Sequence, residues 1–284
     1  MTQIGPLGFQ PRPAGERKQL ARQLGTPFGG GDGRRVVALE GIVVVALDLE
    51  PVEGTHFRVE GSVVRQLTDA FAQDWAFAAN EGLKGDAWFP DVAGSIGPGV
   101  ASDRGAAARV ICSGPDEDLE QIEFSVLQAI ACAREGIGVI TPYFLPDERL
   151  MTALSLAAMR GVTVDVIVPQ RSDHAFVDWA TRANVTQALK DGVRIWRSPP
   201  PFRHSKAMVV DREWCLVGSC NWDMRSFRLN FELCMELYDR DLAEALTALM
   251  RRCSGSPLTQ TELDARSAPV RLRDAAMRLM LPYF

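Results

Sequence analysis

The sequence predicts an α/β sandwich on a mixed sheet, and three observations carry that prediction. From about residue 108 onward, apolar runs typical of buried strands alternate with stretches of helical periodicity: ARVICSG, Leu119–Arg134, GIGVI, Glu148–Arg160, VTVDVIVP, Asp173–Leu189 and VRIWRS. Such alternation favours helices laid on a largely parallel or mixed sheet. The chain has 284 residues, 46% hydrophobic and 24% charged, enough for one large or two modest domains with an ample core. Finally, the runs AMVV and WCLV flank Asp211-Arg212-Glu213 and read as a β-hairpin.

In chain order, residues 1–32 are rich in Gly, Pro and basic residues and read as a poorly ordered leader. Arg34–Leu49 reads as two short strands joined at Glu40-Gly41, and His56–Val59 is strand-like. From Ser62, the positions Val63, Leu67, Ala70, Phe71, Trp75 and Phe77 keep helical spacing. Asn80–Ala108 reads as loop. After Glu232 come a strand, LCMELYD, a helix over Leu242–Cys253 and a polar linker. The closing VRLRDAAMRLMLPYF sets Val270, Leu272, Ala276, Leu279 and Met280 against Arg271, Arg273 and Arg278. That amphipathic helix either packs on its own domain or lies on an anionic bilayer. The loops Thr141–Glu148 and Pro169–Asp173 follow carboxyl ends of strands, where α/β sheets place their functional groups.

The bulk properties narrow the function. A net charge of −5 argues against wrapping a nucleic-acid backbone. The six cysteines show no C-x-x-C pair and no metal-ligand spacing, so buried reduced thiols are expected. No signal peptide is visible. The most apolar early stretch, Val36–Leu49, carries Glu40 and Asp48 and is too short to span a bilayer, so no transmembrane segment is expected.

Chemistry concentrates between His204 and Glu232. His204, Lys206 and Asp211 fall at i, i+2 and i+7, followed by Gly218, Ser219, Asn221 and Glu232. In a strand, residues i and i+2 share a face, so His204 and Lys206 point together and Ser205 points away. An imidazole beside a fixed cation suits holding and attacking a phosphate. His56 and His174 read as surface or supporting positions, and Trp214 and Trp222 as core aromatics.

Written as H-S-K-A-M-V-V-D followed by G-S-C-N, these residues resemble the HxKxxxxD…GSxN motif of the phospholipase D superfamily. The longer GSCNWDMRSFRLNFE, with TPYFLPDE at Thr141–Glu148 and THFRVEG at Thr55–Gly61, is similar to bacterial cardiolipin synthases. RGVTVDVIVPQRSDH and the closing RLRDAAMRLMLPYF also fit, so the resemblance covers residues 33–284. It implies a phospholipase D-like α/β/α sandwich: a remnant of a first domain over 33–108, a complete second domain over 109–256, and an amphipathic C-terminal tail over 257–284.

The resemblance implies phosphatidyl transfer through a phosphohistidine, with no cofactor and no metal. The implied substrate is a phospholipid such as phosphatidylglycerol. The implied setting is peripheral, on the cytoplasmic side of the cell membrane, with no nucleic acid as partner. In the family two such motifs meet: one histidine attacks phosphorus and the other protonates the leaving alcohol. Two are needed because one imidazole cannot be unprotonated nucleophile and protonated acid at the same time. Carried onto this sequence, His204 is general acid and then base. Lys206 and Asn221 bind the non-bridging oxygens, with Ser219 at the same wall. Glu232 hydrogen-bonds the other imidazole nitrogen and fixes its tautomer, and Asp211 braces the hairpin.

Where the first motif is expected, Gly33, Arg35 and Glu40 stand in place of His, Lys and Asp, and Gly33 cannot be a nucleophile. Three readings follow. The preferred one is a cardiolipin synthase-like phosphatidyltransferase, truncated and of low activity alone, lacking an N-terminal half. The second is a homodimeric phosphodiesterase or nuclease that pairs two copies of the motif. The third is a non-catalytic module that binds phosphate or lipid headgroups.

Overall fold

The computed structural model describes residues 36–39, 42–49, 52–59, 61, 63–85, 88–89, 106–115 and 120–279. The degenerate motif at Gly33, Arg35 and Glu40, the 1–32 leader and Met280 lie outside those residues.

The expected mixed α/β architecture is present. Its centre is an eight-stranded sheet built from β4 (Ala107–Ser113), β5 (Gly136–Ile140), β7 (Thr163–Pro169), β8 (Arg194–Ser198), β10 (Ala207–Val210), β11 (Trp214–Gly218), β13 (Glu232–Tyr238) and β14 (Ser256–Leu258). Its order is β14-β8-β7-β5-β10-β11-β13-β4. The β5, β7 and β8 pairings are parallel, and β10 enters antiparallel beside β5 with Ala207 opposite Ile140. The expected hairpin is β10–β11, with Val210 opposite Trp214.

The AMVV run is continuous because both faces of β10 are covered. Met208 and Val210 pack into a core with Ile122, Val126, Leu150 and Leu154, whereas Ala207 and Val209 meet Leu242, Leu246 and Met250 on the other face. The first face is supplied by α2 (Gln121–Cys132) and α3 (Glu148–Met159), the second by α7 (Arg240–Cys253). Asp147 caps α3 by accepting from Leu150 N at 3.0 Å, and Asp239 caps α7 by accepting from Leu242 N at 2.7 Å.

A single helix was expected over Asp173–Leu189. The chain instead forms α4 (Ala175–Asn184) and α5 (Thr186–Lys190), divided at the buried Val185. The two halves serve different partners: α4 packs against β6 (Phe144–Leu145), and α5 against α3. Periodicity continues through the break, but one straight rod would not reach both.

The N-terminal strands β1 (Val36–Leu39), β2 (Ile42–Leu49) and β3 (Val52–Val59) form a separate small sheet, in the order β1-β2-β3-β9, closed by β9 (Phe202–Arg203). Strand β3 starts at Val52, earlier than the expected His56, because Val52 and Glu53 pair in parallel with Phe202 and Arg203. Helix α1 (Val63–Ala79) follows and packs against β4.

The expected tail boundary at residue 257 is corrected. Strand β14 is the edge of the large sheet, and Leu258 and Leu263 of the next helix, α8 (Gln260–Asp264), are buried in its core. The last described helix, α9 (Ala268–Leu279), packs on α4. Arg273 lies 4.1 Å over the Trp179 ring, and the buried Asp274 pairs with Arg273 at 2.8 Å and with Arg266. Leu272 and Leu279 remain exposed. Among the described residues no helix is long and apolar enough to cross a membrane. None of the six cysteines, all of them among the described residues, forms a disulfide; Cys215, Cys220, Cys234 and Cys253 are buried, whereas Cys132 is exposed.

Candidate active site

His204-Ser205-Lys206 was expected to run as strand. It is irregular chain between β9 and β10, because the β5–β10 ladder ends at Ile140 opposite Ala207 and leaves residues 204–206 no ladder partner. Ser205 turns inward and its hydroxyl meets Thr55 Oγ1 at 2.8 Å. His204 and Lys206 nonetheless come together. Lys206 Nζ lies 2.8 Å from His204 Nδ1, 3.3 Å from Nε2 and 2.8 Å from the His204 carbonyl oxygen.

The facing wall begins at Gly218, the last residue of β11. A Cβ there would lie 2.3 Å from Leu233 O and 2.6 Å from Cys234 Cα, so only glycine lets the two backbones approach this closely. That approach puts Ser219 against β13: Ser219 N donates to Leu233 O at 3.0 Å, and Leu233 N donates to Ser219 Oγ at 3.0 Å. The Ser219 hydroxyl also donates to a Glu232 carboxylate oxygen. Asn230 Nδ2 donates to the other oxygen at 3.2 Å.

Glu232 was expected to hold the imidazole. Its two carboxylate oxygens are instead engaged by Ser219 and Asn230, and the ammonium of Lys206 faces the imidazole nitrogens. Its charge still acts on Lys206. Asn221 follows the buried Cys220, and its Oδ1 is buried without a hydrogen-bond partner. Such an orphaned acceptor costs about 1–3 kcal/mol unless a ligand donates to it.

Asp211 sits at the far end of β10, in the hairpin turn with a φ of 52°. Its carboxylate accepts from Arg134 N at 2.9 Å, Glu135 N at 2.7 Å and Gly136 N at 2.9 Å, tying the hairpin to the turn before β5. The structure thus sets Lys206 against His204 and within reach of the Glu232 charge, ties Ser219 to Glu232 on the turn that also carries Asn221, and sets Asp211 apart as a brace.

Two further site residues were not singled out from the sequence. The short β12 (Trp222–Asp223) pairs in parallel with β6, drawing the Thr141–Glu148 loop to the site. There the Tyr143 ring stands edge-on to His204, centroids 6.4 Å apart, while its hydroxyl donates to both Asp173 oxygens at 2.9 and 2.8 Å. The available signal was positional, since both residues occupy loops at carboxyl ends of strands. His174 joins the same mouth, 6.2 Å from the Tyr143 ring and stacked on Phe176 at 5.3 Å. His56 lies on the small sheet, opposite Val45.

Behind the site, Arg149 and Arg228 neutralise Glu120, Glu123 and Asp147, three carboxylates at the starts of α2 and α3. Arg228 ends α6 (Met224–Arg228), so this knot, closed over the buried Glu123, fixes the helix that follows the Gly-Ser-x-Asn turn.

The electrostatics follow from crowding. His204 stays partly open to solvent, yet the protein around its ring pushes the imidazole down to about 4; the Lys206 ammonium adds to this and Asp173 opposes it. Burial lowers Lys206 to about 8, against the pull of Glu232, Asp223, Cys220 and Asp173. At neutral pH the pair is therefore a neutral imidazole and an ammonium ion. An arriving phosphate anion favours the charged forms of both.

A family model described as "Cardiolipin synthase, PLD-like domain" matches residues 126–254. Among curated relatives, cardiolipin synthase 2 of Staphylococcus epidermidis is 37% identical over 234 residues, covering 80% of this chain and 46% of the relative. Cardiolipin synthase A of Pseudomonas aeruginosa is 36% identical over 231 residues, covering 81% of this chain and 45% of the relative. The chain thus spans about half the length of the curated relatives it matches. In fold it resembles the phosphatidylserine synthase of Haemophilus influenzae, with a TM-score of 0.50 and 19% identity over 62% of this chain and 47% of the other.

Proposed function

We propose that this chain is a phospholipase D-superfamily member of the cardiolipin synthase type, serving as a phosphatidyltransferase that acts through a phosphohistidine. The observation that carries this reading is the contact between Lys206 Nζ and His204 Nδ1 at 2.8 Å, with Lys206 lining the same small space as Gly218 and Cys220 of the turn after β11. That pairing gives one wall both a charge for a phosphodiester and a proton carrier for its leaving group.

The phosphate of a phospholipid such as phosphatidylglycerol settles with its non-bridging oxygens on Lys206 and Asn221, and the Ser219–Glu232 contact keeps the wall in place. The incoming anion raises the proton affinity of His204. As the histidine of a second such motif, brought by another polypeptide, attacks phosphorus, the P–O bond to the leaving alcohol breaks and its electron pair goes to the alcohol oxygen, which takes the His204 proton. An acceptor alcohol then gives its proton to His204 as its oxygen displaces the histidine nitrogen from phosphorus. Two steps of similar chemistry preserve the phosphodiester for transfer rather than hydrolysis. The reading places the protein peripherally at a bilayer surface, on its cytoplasmic side. Residues 33–108 serve in it as the remnant of a first domain.

The sequence holds one His-x-Lys, at His204. This favours a second reading, in which two copies of the chain bring their motifs together around a two-fold axis as a phosphodiesterase or nuclease. A strictly monomeric mass in solution with undiminished His204-dependent turnover would eliminate it.

The test of the main reading is cardiolipin and glycerol formation from phosphatidylglycerol vesicles, followed by mass spectrometry. A low rate of production that disappears in a folded His204→Ala chain is the expected result. Equal production by both chains would overturn the reading.

A further inference from the structure

The outer face of α9 is one-sided in composition. Leu272 and Leu279 are 72% and 79% exposed, and their spacing of two helical turns sets them on one line. Ala268 and Ala275 lie on the same line, and Arg271 and Arg278, exposed and spaced alike, run along its edge. Val270 is half-buried and Met277 packs inward with Leu145, Val177 and Ala180, so the exposed stripe centres on the two leucines. The one carboxylate of α9, Asp274, is buried and held by Arg266 and Arg273. The outward side of the helix therefore bears two cations, two large apolar side chains and no anion.

That sorting of charge narrows the partner. An anionic surface repels a chain of net charge −5 unless its cations gather on one side. They gather here: Arg182 of α4 and Arg273 act on Arg266 as like charges, and Arg271 and Arg278 add two more on the outer side. A second copy of the chain, laid face to face on this stripe, would set arginine against arginine. An anionic bilayer instead offers headgroups to the guanidinium ions and an apolar layer to the leucines. Position supplies a further constraint. Met277 shares its packing with Tyr143 and Phe176, Tyr143 stands edge-on to His204, and Phe176 stacks on His174. A single layer of side chains thus separates α9 from the mouth of the site.

We propose that the outer face of α9 is the surface on which this protein sits against an anionic bilayer, with Leu272 and Leu279 entering the headgroup layer and Arg271 and Arg278 meeting lipid phosphates. This rests on the peripheral placement in the phosphatidyltransferase reading and names the face that makes it. The helix lies in the plane of the bilayer, and the Tyr143 loop against its inner side is held near the headgroups.

Sedimentation with vesicles of equimolar phosphatidylglycerol and phosphatidylcholine measures the attachment. Turnover of monomeric dihexanoyl-phosphatidylglycerol reports the site without a bilayer. Leu272→Glu with Leu279→Glu, both at exposed positions, is expected to weaken vesicle binding about a hundredfold. Arg271→Glu with Arg278→Glu is expected to weaken it about thirtyfold or more, a difference that shrinks as salt is raised. Both variants should keep the wild-type rate on the monomeric lipid. Vesicle binding unchanged by either pair, or a wild-type chain that stays in the supernatant, would overturn the proposal. So would a fall in solution mass caused by the leucine pair, which would mark the face as a contact between copies. Binding lost in Lys206→Ala but kept in the leucine pair would place attachment at the phosphate site, leaving the phosphatidyltransferase reading and sinking the face. Binding lost in the leucine pair, with no cardiolipin formed by wild type from vesicles or monomers, would keep the face and sink that reading.

Discussion

Lys206 lends itself to a titration in which ligand binding and folding move in opposite directions. Burial lowers its ammonium to about 8. In the free protein the phosphate-binding charge therefore begins to disappear near that pH. If only the ammonium form binds, affinity for a phosphodiester falls by about tenfold per pH unit above 8, or roughly fiftyfold between pH 8 and pH 10. Neighbouring groups do not blur the window. His204 is already neutral, being lowered to about 4, and burial raises Tyr143 and Cys220 above their ordinary values. Dimethyl phosphate carries one constant charge across this range, and phosphorus NMR line broadening reports its binding. Stability has the opposite sign. The fold favours the neutral amine, so the unfolded chain binds more protons between about 8 and 10.4, and the Lys206 contribution to stability rises with pH through that window. A loss of affinity there thus cannot be loss of fold at this residue. Lys206→Arg keeps its charge and should hold a flat affinity curve to pH 10. A wild-type curve that stays flat, or an equal fall in Lys206→Arg, would refute the reasoning.

Two other substitutions separate bracing from chemistry. Asp211→Ala removes the acceptor of three backbone N–H groups and should destabilise the chain by about 2 kcal/mol in urea denaturation. Those hydrogen bonds hold the Asp211 carboxyl below its usual range against the opposing effect of burial. Its stabilisation is therefore present above the unfolded value near 3.9 and lost as pH falls through the lower folded value. Gly218→Ala drives a methyl group into Leu233 O and Cys234 Cα, both backbone atoms, and should cost about 3 kcal/mol or more. Because Ser219 and Asn221 follow directly, any chain that still folds should bind dimethyl phosphate more weakly than wild type.

Much of the central sheet was legible because both of its faces are buried, which turns strands such as AMVV and GIGVI into unbroken apolar runs. The His204–Lys206 encounter was also legible, although the reason differed. Their proximity comes from an irregular segment in which Ser205 is drawn inward by Thr55, not from strand geometry. What escaped notice depends on partners far away in sequence. The break at Val185 answers to two different packing surfaces, and local periodicity cannot register it. The Tyr143–Asp173 contact and the Arg149–Arg228 knot join residues from separate loops and helices. Glu232 was identified as part of the site, but its partners were not, because Ser219 reaches it only through the close backbone approach at Gly218.

The pairing of β9 with β3 has a mechanical consequence. Phe202 and Arg203 belong to the small sheet, Ala207 opens a strand of the large one, and His204 lies in the three-residue span between them. The imidazole is strung between two independently hydrogen-bonded supports, with the Thr55–Ser205 contact as a guy-line from the smaller. Loosening β2 or β3 would slacken that span while the large sheet stayed intact. The N-terminal ribbon therefore needs no side chain on the substrate to matter: it sets where the histidine stands.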